Sequence, residues 1–191
     1  MQEPCVVASW PSVPVEIVRA AGFRPVMIRG ASGPTPAADV HLEPGIFPSR
    51  LRWLVEDALT GRLTHAARIV IPRTSDADYK CFLYLRELVR RGVATALGPV
   101  VLFDLLQSRG PDVLAYDVAR TRALLDDLSS ESGWTPSDDD LRGEIVRTNA
   151  ARAAARRLVE LRRPVPRVSG AEVFPLLAAF WEMNPDRYAE M

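Results

Sequence analysis

Cysteine is scarce in this chain: Cys5 and Cys81 are the only two among 191 residues. They lie far apart and form no CxxC, which excludes a disulfide framework and a cysteine-rich metal site. Lysine is scarcer still. Lys80 is alone, and arginine supplies every other one of the 24 basic residues, the mark of GC-rich codon supply rather than of function. Net charge is absent too, because Asp and Glu also number 24. A neutral chain has no sequence-wide field to draw nucleic acid or an anionic membrane. No apolar run approaches the ~20 residues that span a bilayer. The N-terminus carries Glu3 and lacks both a basic n-region and a long apolar stretch, so no signal peptide is read and a cytoplasmic location is expected. The two histidines, His41 and His65, fall in a loop and a turn without a partner at metal-ligand spacing, and surface positions are expected for both. Neither GxGxxG nor a GKS/GKT phosphate loop occurs. What the chain does have is 48% hydrophobic and 25% charged residues, the mix of a globular protein rather than a disordered one. Its length fits one core with an appendage.

Up to about residue 105, short apolar runs alternate with helical stretches. Cys5-Val6-Val7-Ala8 reads as a buried strand. Pro14 suits the first position of a helix from Val15 to Ala21, which Gly22 ends. Val26-Met27-Ile28 is a second strand. Residues 30–48, with Gly30, Gly33, Pro34, Pro36, Pro44, Gly45 and Pro48, read as a long loop of little regular structure. From Ser49, the residues Leu51, Leu54, Val55, Ala58 and Leu59 form one apolar stripe of a helix ended by Gly61. Ile69-Val70-Ile71 is a third strand closed by Pro72. A helix from Asp76 to Arg91 turns Phe82, Leu85, Leu88 and Val89 inward. Val100-Val101-Leu102-Phe103 is a fourth strand ending at Asp104. Strands this apolar, separated by helices, predict an α/β fold with a four-stranded parallel, Rossmann-like sheet covered on both faces.

After residue 110 the strands stop. Ala115 to Leu128 reads as a helix with Val118, Leu124, Leu125 and Leu128 apolar. A polar loop, Ser129 to Trp134, leads to the longest helix, Pro136 to Arg162, capped by Thr135 with Asp138 three residues on. These two helices predict an αα-hairpin. Ser169 with Glu172 is a second capping box and starts a last helix to about Trp181. The expected organisation is therefore a Rossmann-like lobe over residues 1–110 and a C-terminal helical extension over 111–191.

Ligands of open parallel sheets bind outside the carboxyl ends of the strands, where helix N-termini also point. The first strand delivers Ser9, Trp10 and Ser12 there, with Glu16 one turn into the helix. The second delivers Arg29 and Gly30, the third Arg73, Thr74, Ser75 and Asp76, and the fourth Asp104. Ser12 and Glu16 are the candidate catalytic residues. Arg73, Thr74, Ser75 and Asp76 are the candidate ligand-binding set, and no metal ligands are identified. Structural roles compete: Ser12 can cap the first helix, Glu16 can favour the positive end of its dipole, and Thr74, Ser75 and Asp76 can be an N-cap cluster. Arg73 beside a helix N-terminus favours an anionic group between them. The arginines at 152, 156, 157, 162 and 163 read as a solvated helix face.

These residues also carry a family resemblance. VVASWPSVPVEIVRAAGFRPVMIRG resembles the start of the 2-hydroxyacyl-CoA dehydratase and benzoyl-CoA reductase subunits: a strand, a Ser/Thr-rich turn, Pro-x-Glu, a short helix ending Ala-Ala-Gly, and a second strand. RIVIPRTSDADYKCFLYLRE is similar to that family's third strand and its Pro-x-Thr-Cys-Asp turn, and VLFDLLQ to its "FLDLP" strand. The segment from Thr135 to Glu172 is similar to the helical hairpin and Ser-Gly-Ala-Glu segment that follow. The resemblance is collinear from about residue 5 to residue 180. It implies Rossmann-like lobes in a longer chain, of which this sequence corresponds to the first half. It also implies paired subunits acting on acyl-CoA thioesters, and a [4Fe–4S] cluster on three cysteines that an ATP-driven activator reduces by one electron.

The departures concern the cluster. The resemblance places the first cluster cysteine near Pro48 and the second at Ser75. Proline offers no ligand atom, and a serine hydroxyl is a poor substitute for thiolate. Cys5 stands about 13 Å from the far end of its strand at ~3.3 Å per residue. Cys81 stands about 9 Å along its helix from Ser75 at 1.5 Å per residue. Neither takes the place of the missing ligands, so no cofactor is expected in this chain. The expected function is a dehydratase-like subunit or half-subunit, acting with a second dehydratase-like subunit or by self-association, contributing acyl-CoA-binding surface while a partner carries the cluster. A non-catalytic assembly or regulatory protein, or a truncated remnant, is the alternative. A cluster-free enzyme reusing Ser12, Glu16 and Ser75 is a third reading, which lacks a visible nucleophile–base pair. Neither nucleic acid nor membrane is an expected partner.

Overall fold

The computed structural model describes residues 5–8, 10–43, 45–95, 97–181 and 183–191; Ser9 and Pro44, named above, lie outside the described residues. The chain divides into two compact units, Met1–Thr135 and Pro136–Met191.

The first unit is built on four parallel strands, β1 (Cys5–Ala8), β2 (Arg24–Met27), β3 (Ala66–Pro72) and β4 (Val100–Phe103), in the order β2-β1-β3-β4. Val7 pairs with Val26 on one side and Ile69 on the other, and Ile71 pairs with Leu102. The helices are α1 (Val15–Ala20), α2 (Pro36–Asp39), α3 (Ser49–Leu59), α4 (Asp76–Arg90) and α5 (Pro111–Ser132). The strand period of two sends Cys5, Val7, Ile69 and Ile71 into one core with Leu51, Leu54 and Val55 of α3 and Cys81, Leu85 and Leu88 of α4. Val6 and Val70, pointing the other way, are also fully buried. α1 packs on β2 and α5, and α5 on β4. Helices therefore cover both faces, as an all-parallel sheet requires.

Several elements differ from the sequence reading. β2 starts at Arg24, two residues early, because its register is set by pairing with Cys5 to Ala8. β3 is longer at both ends, since it lies between β1 and β4 and has partners along most of its length. The loop between β2 and α3 contains the one-turn helix α2, with Pro36 at its start. Its Ala38 N–H donates to the buried Glu56 carboxylate at 2.9 Å. Val89 is 40% exposed, while Cys81 and Asp78 lie inward. Val89 lines an open cleft with Leu97 and Val100, where the chain entering β4 stands away from the helix.

α5 starts earlier and ends later than expected, from Pro111 behind Gly110 to a left-handed Gly133 (φ 70°). Ser129 to Ser132, read as loop, are its last turn. Arg68 of β3 anchors it, donating from Nε to Asp127 (2.8 Å) and from Nη1 to Glu131 (2.8 Å). After the helix, Trp134 Nε1 donates to the Ala20 carbonyl at 3.2 Å. These bonds explain why α5 belongs with the sheet, whereas the expectation from sequence parts the two at residue 110.

The second unit holds α6 (Asp138–Glu160), α7 (Gly170–Ala179) and α8 (Pro185–Ala189). Its core is Ala151 and Ala154 of α6 around Tyr188 of α8, with Leu158 and Phe180 packed against them. α8 has no counterpart in the sequence reading, and α7 stops at Ala179 rather than Trp181. α6 is capped by Ser137, not Thr135: Asp140 N–H donates to Ser137 Oγ at 3.2 Å, and Ser137 N–H to the Asp140 carboxylate at 2.8 Å. This choice places Asp138, Asp139 and Asp140 together in the first turn, at the positive end of the dipole. The expected Ser169–Glu172 capping box is present on α7.

Hydrogen bonds from Ser137 and Ser169 hold the Asp140 and Glu172 carboxyls below their usual range. Because the folded values are depressed, this support is present above the unfolded pKa of about 4 and is lost as pH falls through the folded values. Ser137→Ala is expected to cost about 1 kcal/mol and to weaken that acid dependence. Thermal melts of both chains between pH 7 and pH 3 measure the two effects; equal melts at pH 7 would count against the cap.

Candidate functional site

The carboxyl edge of the sheet gathers the ends of β1, β3 and β4 with the N-termini of α3 and α4. Pro72, with φ fixed and no N–H to donate, closes β3. Arg73 N–H still bonds back to the Phe103 carbonyl of β4 at 2.9 Å. The chain then turns through Thr74 into Ser75, the N-cap of α4, whose Oγ accepts from Asp78 N–H at 3.2 Å.

Asp78 is the centre of the arrangement. It lies on the inward stripe of α4 and is fully buried. Its Oδ2 accepts from Thr74 Oγ1 at 2.6 Å and from Ser75 Oγ at 2.7 Å. Its Oδ1 accepts from Arg50 Nη2 at 2.7 Å. Arg50 is the second residue of α3 and leaves 15% of its side chain exposed. Its guanidinium lies under the Trp10 ring, 4.5 Å from the centroid, and a cation over indole is attractive in its own right. The loop after β2 closes this side: Ser49 Oγ and Trp53 Nε1 both donate to the Ala31 carbonyl at 2.9 Å. A Cβ on Gly30 would stand 2.8 Å from the Arg50 backbone nitrogen, so this approach needs glycine.

Of the residues singled out from sequence, the structure brings Ser12, Arg73 and Thr74 together around a small cleft of about 30 Å³, with Gln107 beside them. That volume is of the order of a single water. Arg73 is already paired, with Asp104 Oδ2 at 3.2 Å, and lies over the Tyr79 ring. Ser75 turns instead toward Asp78. Asp76 is exposed in the first turn of α4. Glu16 is buried in the first turn of α1 and does not line the cleft. Pro48 is the N-cap of α3, two residues from Arg50. His41 and His65 are half-buried rather than fully on the surface.

Sequence reasoning missed Arg50 and Asp78. For Asp78 a signal existed, since it stands three residues after Ser75 and seven before Leu85, both the capping and the inward phase of α4. For Arg50 none existed.

Both thiols are shielded. Burial raises the pKa of Cys5, whose Sγ lies 3.9 Å from the His65 carbonyl. Burial, with the Asp78 charge adding to it, pushes the Cys81 thiol up to about 12. Thiolates are the metal ligands and nucleophiles, so neither cysteine is poised for such chemistry. Cys81 should make stability fall in alkali. Its folded pKa is raised, so the contribution is complete below the ordinary 9.0 and is lost as pH climbs from there toward about 12. Urea midpoints across that range should decline more steeply for the wild type than for Cys81→Ala. Parallel profiles would show that Cys81 is not the group responsible.

The fold is thus a parallel α/β sheet with helices, with a polar network at its carboxyl edge. The family model for the 2-hydroxyglutaryl-CoA dehydratase D-component matches residues 12–191, and the chain belongs to that family. A search of the curated proteins found no match. Among the described residues, no helix is long and apolar enough to cross a membrane. Among them, too, no three His, Cys, Asp or Glu side chains gather as a metal-binding group.

Proposed function

We propose that this dehydratase-like subunit works on acyl-CoA thioesters in a complex, binding substrate at the carboxyl edge of its sheet, while a second dehydratase-like chain holds the [4Fe–4S] cluster. The observation that carries this reading is the hydrogen-bonded set Arg50–Asp78–Thr74–Ser75. It occupies the place where the family resemblance puts two cluster cysteines, at Pro48 and Ser75. The residues there do not suit a cluster. Ser75 Oγ is committed to the Asp78 carboxylate and the α4 cap, Pro48 has no ligand atom, and a buried guanidinium stands beside them. Iron–sulfur clusters are held chiefly by thiolates. Ser12, Arg73 and Thr74 remain around the small cleft as candidate substrate contacts, with Asp76 in the first turn of α4 as a further ligand-binding candidate and Glu16 in the first turn of α1 as a candidate acid–base group. A cytoplasmic location fits this chemistry.

Association with the second chain is supported by apolar side chains left exposed on each unit: Leu106, Leu114 and Val118 on the first, Val146 and Phe174 on the second. Large contiguous patches of exposed apolar surface mark interfaces, and these side chains are the candidates for one on each unit.

The test is anaerobic reconstitution with iron and sulfide, followed by desalting and iron analysis. The chain should retain no stoichiometric iron, and the pair Pro48→Cys with Ser75→Cys should retain some. Iron at about four atoms per wild-type chain, the content of a [4Fe–4S] centre, would overturn the reading. Substrate binding is tested by titration with acyl-CoAs while backbone amide shifts are followed. Shifts should cluster at the ends of β1 and β3; shifts confined to residues 152–163 would place the site elsewhere.

A further inference from the structure

β4 is an edge of the sheet: β3 lies on one side of it and, among the described residues, no strand lies on the other. Backbone groups alternate in direction along a strand of a parallel ladder. The Pro99 carbonyl accepts from Ile69 N–H at 3.0 Å and the Phe103 carbonyl from Arg73 N–H at 2.9 Å. Pro99, Val101 and Phe103 therefore turn their backbone toward β3, and Val100 and Leu102 turn theirs outward. The Leu102 carbonyl takes Arg120 Nη2 of α5 at 3.2 Å. The Val100 N–H and carbonyl and the Leu102 N–H have no partner among the described residues. An edge of this kind is a template for another strand. It is also firmly seated. A Cβ on Gly98 would stand 2.5 Å from the Ala66 carbonyl oxygen, so the chain enters β4 pressed against β3.

The side chains of Val100 and Leu102 lie on the α4 side, packed against the main core. On that side the start of β4 borders the cleft that Arg86, Val89 and Arg90 of α4 form with Leu97 and Val100, about 430 Å³ in volume. Its floor is apolar and both charged groups at it are arginines. Alternate side chains of a strand laid along β4 would enter it.

Charge selects the partner. Arg90 and Arg91 share Glu87. Arg86 is exposed, lies over the Phe82 ring 5.3 Å from its centroid, and makes no hydrogen bond or ion pair among the described residues. No Asp or Glu occurs between Glu87 and Asp104, and Asp104 is paired with Arg73. On α5, Asp127 and Glu131 are spent on Arg68, and Asp117 accepts from Leu106 N–H. The negative pole of α4 amounts to about half a charge and does not cancel the arginines. The edge is therefore positive. Two β4 edges brought together would set Arg86 and Arg120 of one copy against those of the other, which argues against a second copy and for an acidic segment.

We propose that the edge of β4 takes an extended, acidic segment of a partner protein as an added strand. Its main chain bonds to Val100 and Leu102, an apolar side chain fills the cleft, and a carboxylate pairs with Arg86. This surface is separate from the cleft of Ser12, Arg73 and Thr74 and does not depend on the acyl-CoA reading.

The test is amide hydrogen exchange in the full ¹⁵N-labelled chain, with the peptide acetyl-Glu-Thr-Val-Thr-Glu-Thr-amide as probe. The peptide should slow exchange at Val100 and Leu102 and leave Val101 and Phe103, already bonded to β3, unchanged. The same peptide with lysine in place of glutamate should have no such effect. Arg86→Glu, an exposed change that leaves the core intact, should weaken binding of the acidic peptide about tenfold, the loss of one charge-assisted contact. It should also let the lysine peptide bind. Methylating the backbone nitrogens of one alternate set of peptide residues should abolish protection, and methylating the other set should spare it. Equal protection by the acidic and lysine peptides overturns the inference, as does a peptide indifferent to methylation, which would sit in the cleft without adding a strand. Protection that grows with protein concentration in the absence of peptide would assign the edge to a second copy and overturn it too. So would unchanged exchange at Val100 and Leu102 at saturating peptide.

Discussion

Replacing Asp78 by alanine is expected to destabilise the sheet-containing unit by about 3–5 kcal/mol, the range for removing one partner of a buried ion pair. Asp78 has no exposed surface, and among the described residues its carboxylate is the sole hydrogen-bond acceptor of the Arg50 guanidinium. Without it, all the buried nitrogens of that group lack partners, and the Thr74 and Ser75 hydroxyls lose theirs. Desolvation of an uncompensated charge is the large cost here; the lost Coulomb attraction is the smaller part. Asp78→Asn should fall between the two chains, since an amide oxygen can still accept from Arg50 but cannot balance its charge. Urea denaturation at neutral pH measures this, with the slope unchanged so that the midpoint reports stability. A loss under about 1 kcal/mol, the size of an exposed pair, would mean the pair is solvated in practice.

Tyr188→Ala is expected to cost the second unit a similar amount, about 3–5 kcal/mol for an aromatic side chain deleted from a core. The ring is fully buried between Ala151 and Ala154 of α6, and Phe180 meets it edge-on at 5.4 Å. A unit of three helices has few other residues to close such a cavity. The contrast with Tyr188→Phe makes the test sharp. The hydroxyl is buried with no hydrogen-bond partner among the described residues, and the same burial raises the phenol pKa. Phenylalanine keeps the ring and removes the unpaired group, so stability should hold or rise, by up to about 1–3 kcal/mol. Melting followed in the far ultraviolet distinguishes the variants. A phenylalanine chain as unstable as the alanine one would show that the hydroxyl, not the ring, holds α8.

Much of the sheet was legible because strands announce themselves locally. Cys5 to Ala8 and Val100 to Phe103 are short apolar runs bounded by polar or turn residues, and the structure keeps both bounds. Ala66 was not legible as strand: only pairing with Cys5 makes it one. The caps show the same limit. Thr135 and Ser137 both have an aspartate three residues on, so spacing alone could not choose between them.

The candidate site divides along the same line. Ser12, Arg73 and Thr74 could be placed together because parallel strands end on one edge, a matter of topology that follows from the strand pattern. Arg50 could not be placed there, being one arginine among many on the polar side of an amphipathic helix. By itself, then, the sequence determined the fold class, the positions of most helices and strands, and the edge of the sheet at which Ser12, Arg73 and Thr74 gather. Periodicity, turn residues and strand composition act over a few neighbouring residues and are written in order along the chain. Only the tertiary structure decided that Arg50 meets Asp78 across 28 residues of chain, that Ser75 is spent on that carboxylate, and that two guanidinium nitrogens are left buried without a partner among the described residues. Those outcomes depend on which side chains share a small volume free of water, where an unmet hydrogen bond or an unbalanced charge costs most.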